Sequence, residues 1–176
     1  MRIRKKGETD VEKKSENRLG SWLGLGGLTP AQEAEGLMAL SAVTAPFGVY
    51  LTAAEAQEVA ESHQASLQKA RRVEFDRGPV ELLARTFCGS IHLSREDWAG
   101  ALETLTELFY QCKNETWDRV GDEELADLLF RAFEGCCRGS FELLESEVVP
   151  RLGRYMRAGK DPEAFTLPEE IDRWST

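Results

Sequence analysis

Four cysteines and two histidines hold most of the reactive chemistry this chain could offer. Cys88 and His92 stand four residues apart, which on an unbroken helix puts sulfur and imidazole on one face. Cys112 and Cys136 fall on the inward faces of two later helical stretches. Together the four compose a Cys3His set of the kind that holds tetrahedral zinc. The spacing argues against it: no Cys-x-x-Cys knuckle occurs, and Gly89-Ser90 should end a helix between Cys88 and His92. Cys136 and Cys137 are adjacent within Glu134–Ser140, "EGCCRGS". A vicinal pair can serve redox chemistry, with Glu134 raising and Arg138 lowering the thiol pKa. A structural reading accounts for more of the motif. The period running on from Phe133 puts Cys136 on the core face and Cys137 at its margin. Gly139 suits the left-handed residue that ends a helix, and Ser140 the N-cap of the next.

The other candidates read as packing or solvation. His63 lies in the apolar stripe of its own helix, where a histidine with satisfied ring nitrogens is expected. Glu123-Glu124 suits a helix N-terminus, and Glu169-Glu170 a solvated run. The charged junction "RRVEFDRG" (Arg71, Arg72, Glu74, Asp76, Arg77) reads as an ion-paired loop. Trp98, Phe109 and Tyr110 read as core. No catalytic residue and no cofactor-binding residue is assigned. The metal alternative is zinc on Cys88, His92, Cys112 and Cys136, and the thiol-based zinc or redox alternative uses Cys88, Cys112, Cys136 and Cys137.

The elements that must position these groups are helices. Thr29-Pro30-Ala31-Gln32 is a capping box with proline at the first helical position, and its helix should run to about Leu40. Thr52 with Glu55 starts a second, carrying Ala56, Val59, Ala60, His63, Leu67 and Ala70 on one face. Gly78-Pro79 opens a third with Val80, Leu83, Ala84, Phe87 and Cys88. Ser94 with Asp97 starts the most regular, in which Trp98, Ala101, Leu102, Leu105, Leu108, Phe109 and Cys112 keep a 3.6-residue period. Asp122 begins a fifth and Ser140 a sixth, which Pro150 should interrupt or restart. The sequence predicts an all-α fold: one antiparallel bundle of five to six helices over residues 29–158. Residues 1–28 read as a flexible N-terminal segment and 159–176 as a tail with Trp174 docked. "GSWLGLGGL" lacks the strand and the Lys-Ser/Thr of phosphate-binding loops, and its Trp22, Leu23 and Leu25 could dock on an apolar surface. A tetratricopeptide register set on Trp98 puts Leu102 and Asn114 at the small-residue positions and fails.

Composition narrows the function classes. Of 176 residues 41% are hydrophobic and 30% charged, as in globular proteins. The net charge is -9, yet residues 1–18 carry seven Lys/Arg against four Asp/Glu. The remaining body is more acidic still and repels phosphate backbones, so the folded domain is not expected to bind nucleic acid. No run is apolar enough to span a bilayer and no secretory signal is evident, so the expected location is cytoplasmic with reduced thiols.

The runs "GVYLTAAEAQEVAESHQASLQKARRVEFDRG", "LARTFCGS" and "AFEGCCRGSFELL" together resemble an uncharacterised bacterial family, mainly of Firmicutes, classed as a domain of unknown function. The resemblance covers about residues 47–145 and implies source and fold, with no activity to carry over. The expected function is a non-enzymatic interaction or regulatory module whose partner is another protein. The alternative is a thiol-based zinc-binding or redox-responsive protein.

Overall fold

The computed structural model describes residues 27–75 and 77–169. The expectations for residues 1–26 and for Trp174 lie outside these. Thr29 caps α1 (Pro30–Thr44), its hydroxyl accepting from Gln32 N–H at 3.3 Å while Gln32 Oε1 accepts from Thr29 N–H at 3.0 Å. The helix continues four residues past the expected end. Nothing between Ser41 and Thr44 breaks it, and Pro46 forces the change only at the 3-10 turn Ala45–Phe47. Ser41 ties this end down: its hydroxyl donates to Leu37 O and accepts from Leu51 N–H at 3.0 Å.

The Thr52–Glu55 box caps α2 (Ala53–Ala70), with Thr52 N–H donating to Glu55 Oε2 at 2.8 Å. The same carboxylate receives both terminal nitrogens of Arg95, at 3.0 and 2.7 Å. The guanidinium also lies 4.3 Å from the Tyr50 ring centre. One arginine thus fastens the start of α2 to the loop before α4. These bonds, with Thr52 N–H, hold the Glu55 carboxyl near 2, below its ordinary 4.5.

Then come α3 (Val80–Phe87), α4 (Trp98–Glu115) and α5 (Asp122–Glu134). Ser94 does not cap the helix as expected: its hydroxyl accepts from Asp97 N–H and donates to the Asp97 carboxylate within a turn, and regular helix begins only at Trp98 with Asp97 at the N-cap. A short α6 (Phe141–Leu143) passes through a π-helical segment, Leu144–Val148, into α7 (Val149–Arg157). Pro150 explains the widening. It has no N–H and its ring crowds the carbonyl four residues back, and an i→i+5 turn relieves that contact.

The elements form a helical bundle without strands among the described residues. Helix α2 packs between α1 and α4, α7 covers the far side of α4, and α3 packs on α5. The stripes read from the sequence are the core: Phe87, Trp98, Leu102, Leu105, Phe109, Leu125, Leu129 and Phe133 are all fully buried. Past α7, Phe165 packs edge-on to Tyr155 with ring centres 5.1 Å apart.

Two outcomes test this architecture. Leu105→Ala should cost about 2–5 kcal/mol in denaturant unfolding, since a fully buried leucine leaves a cavity. A loss within error would place that face of α4 elsewhere. Arg95→Met should lower the melting temperature, and the deficit should depend on pH. Glu55's folded pKa lies below its ordinary value, so its pairing contributes fully above about 4.5 and fades as pH falls towards 2. The gap between wild type and variant should narrow over that window. A constant gap would show that Arg95 acts through Tyr50 alone.

Candidate functional site

Where α1, α2 and α4 meet the loop after α2, four polar side chains form one hydrogen-bonded chain. His63 of α2 is its centre and is 3% exposed. Its Nδ1 lies 2.9 Å from Glu33 Oε2 of α1, itself 3% exposed, and its Nε2 lies 2.7 Å from the Tyr110 hydroxyl of α4. That hydroxyl donates to Glu74 Oε2 at 2.7 Å. Burial and the Glu74 carboxylate push the Tyr110 pKa up, so it stays protonated.

A hydroxyl has one hydrogen, and Tyr110 gives it to Glu74, so toward His63 Nε2 the Tyr110 oxygen is the acceptor. The contact between Nδ1 and Glu33 closes the chain at the other ring nitrogen. Glu33 Oε1 is nearer to Nδ1 still, at 2.7 Å, yet off the N–H direction, and it accepts no hydrogen bond among the described residues.

The loop fits over this chain because of Gly78, at φ +73, where a Cβ would lie 2.7 Å from His63 Cε1. Between the loop and α2 is a cavity of about 290 Å³ lined by Glu33, His63, Gln64, Leu67, Gln68 and Glu74, among others.

The thiols are placed apart from this chain. Cys88 ends α3 with its sulfur on Arg85 O at 3.2 Å, and burial raises its pKa. Cys112 is fully buried and pushed up to about 12 by burial and by Glu115. Cys136 rests on Ala132 O at 3.6 Å. His92 lies edge-on to Phe133, with ring centres 6.0 Å apart. All four cysteines are free, and among the described residues no three His, Cys, Asp or Glu side chains are placed to hold a metal ion.

The "EGCCRGS" segment is a turn. Gly139 has φ +78 and Ser140 caps α6, accepting from Leu143 N–H at 3.2 Å. A Cβ at Gly139 would also lie 2.6 Å from the His92 side chain, so a second constraint requires glycine there. Cys137 departs from the expectation of a marginal position: it is fully buried. Gly135 leaves helical geometry at ψ -102, so the 3.6-residue period stops short of Cys137, whose N–H turns back to Ala132 O at 2.9 Å. Burial and the neighbouring Cys136 push its thiol up to about 12.

Sequence reasoning found His63 and its satisfied character, and missed its partners. Glu33, Leu37 and Leu40 fall at helical spacing and are all buried, so an acid in an apolar stripe was the available signal. Tyr110 adjoins Phe109 in a similar stripe.

Fold and site define a helical-bundle protein in which a hydrogen-bonded Glu33–His63–Tyr110–Glu74 relay lies beneath a small cavity. Residues 36–162 match a family of unknown function, DUF6323, and the chain belongs to it. Among curated proteins and among solved structures, nothing matches the chain.

The relay makes Tyr110→Phe informative. The ring still packs, but His63 Nε2–H and Glu74 each lose a partner, so a cost of roughly 1–3 kcal/mol is expected. Unchanged denaturant unfolding would mean water replaces the hydroxyl.

Proposed function

We propose that the protein is a non-catalytic helical module that docks another protein through the loops at the C-terminal end of α1. The observation that carries this is the exposure of Ile91 at 85% and Phe47 at 60% in a chain that buries most of its large apolar side chains. The two loops adjoin: Phe47 lies 3.9 Å from where a Cβ on Gly89 would be, and Arg95 of the second loop lies over Tyr50 of the first. Val43, one turn before Phe47, is also half exposed. Contiguous apolar side chains rimmed by polar ones are a common mark of a protein interface.

Charge supports a protein rather than a nucleic acid, since a chain of net charge -9 repels phosphates. Among the described residues no helix is long and apolar enough to cross a membrane. The four free thiols fit a reducing cytoplasm.

Phe47→Ser combined with Ile91→Ser removes the patch from exposed positions and should leave the melting temperature nearly unchanged. In affinity capture from the native host at endogenous level, the wild type should enrich one partner that the double variant loses by about ten-fold, as loss of an apolar anchor does. Equal recovery by both would locate docking elsewhere.

A further inference from the structure

We infer that the partner docked at the C-terminal end of α1 is a second copy of this chain, seated by the outward face of α1 across a two-fold axis beside Ala42 and Val43. The inference rests on the docking reading above and names its partner. Helix α1 packs on α2 and α3. Leu37 and Leu40 face the core, yet Met38, Ala39, Ala42 and Val43 on the side away from it are exposed and also apolar. Ala45, Pro46 and Phe47 carry the exposed face on through the 3-10 turn. A helix that is apolar all round is normally covered all round.

Charge selects the occupant. Residues 36–54 and 86–94 contain no Asp, Glu, Lys or Arg, and the two stretches meet where Phe47 lies against Gly89. Interfaces with dissociable foreign partners are no more apolar than the rest of a protein surface, whereas homodimer interfaces are, with charge depleted at their centre. Two copies of net charge -9 also repel, so they can meet only where neither brings a like charge. A foreign partner of opposite charge is drawn instead to the acidic faces elsewhere.

The spacing along α1 is self-complementary. With about 3.6 residues per turn, Ala39, Val43 and Phe47 lie along one edge of the face, and Met38, Ala42 and Ala45 along the other. Positions beside a two-fold axis meet their own copy, here Ala42 and Val43. The same operation lays Phe47 over the second copy's Ala39 and Met38 over the second copy's Ala45, a large side chain on a small one each time. Arg95, held over Tyr50, begins the polar rim.

The full-length protein at roughly 100 µM, where a micromolar dimer is nearly complete, should sediment at twice the chain mass of 19.7 kDa. Ala42→Glu sets two carboxylates against each other at the axis and should halve that mass with unchanged helical circular dichroism. Ala42→Cys is a second arm that removes nothing from the face. Mild oxidation should join it to its own copy, while Ala31→Cys, an exposed α1 position far from the axis, should stay unlinked. A monomeric wild type, a dimer that folded Ala42→Glu leaves intact, or equal cross-linking of Ala42→Cys and Ala31→Cys would each overturn the second copy. A monomeric wild type whose captured partner is still lost on combining Phe47→Ser with Ile91→Ser would overturn it too, and would leave the docking reading standing.

Discussion

The Glu33–His63 pair fixes where three helices can meet. Burying the polar atoms of both side chains is costly unless their hydrogen bonds are made. The Nδ1 side is met from α1, and the Nε2 side by Tyr110 from α4. Sliding α1 or α4 by one turn, about 5.4 Å, would leave a polar group buried without a partner. Apolar stripes tolerate such slips far better, because leucine packs on leucine in several registers. The hydrophobic faces therefore hold the bundle together, while the relay penalises every other alignment of α1, α2 and α4.

The same demand shapes the loop after α2. Glu74 must approach Tyr110, and to do so the chain leaves α2 through Arg71 in the left-handed region, at φ +55. It then passes Gly78 against the imidazole. Arg72 anchors the stretch from outside by its bonds to Asn114 in the last turn of α4 and to Asp118 just beyond it. Val73 and Phe75 remain exposed, at 66% and 68%, because Glu74 between them faces inward and the backbone alternates. The residue of "VEF" that turns inward is thus the acid.

Local rules were legible in the sequence and long-range polar pairing was not. The boxes at Thr29 and Thr52 depend on residues three apart, and both form, while Ser94 and Asp97, at the same spacing, bond to each other in a turn ahead of the helix. The stripe of α4 was readable because burial of an apolar face needs no named partner. Glu33 was not, since an acid in the first turn of a helix is well explained by the helix dipole alone. Only the approach of His63, thirty residues on, gives the buried carboxyl its partner. Cys137 was misplaced for a different reason: a period extrapolates only while the backbone stays helical, and Gly135 ends that condition two residues earlier. The C-terminal end of α1 failed likewise, because a proline marks where a helix must stop and says little about the four residues before it.

What the relay can do follows from where its lone pairs are. A general base needs an unprotonated nitrogen or oxygen facing a substrate, within about 3 Å of the proton it takes. The His63 ring has neither nitrogen to spare, since both are committed to protein atoms. Tyr110 is held in its protonated form by burial and by Glu74. Cys112 and Cys137 offer no better nucleophile: with both raised to about 12, almost none of either is thiolate at neutral pH. Oε1 of Glu33 is left, 2.7 Å from Nδ1 and closed off from bulk water. Every polar atom of the relay that faces another element is thus spent on joining α1, α2, α4 and the loop after α2, which is what makes it a strong constraint on the fold.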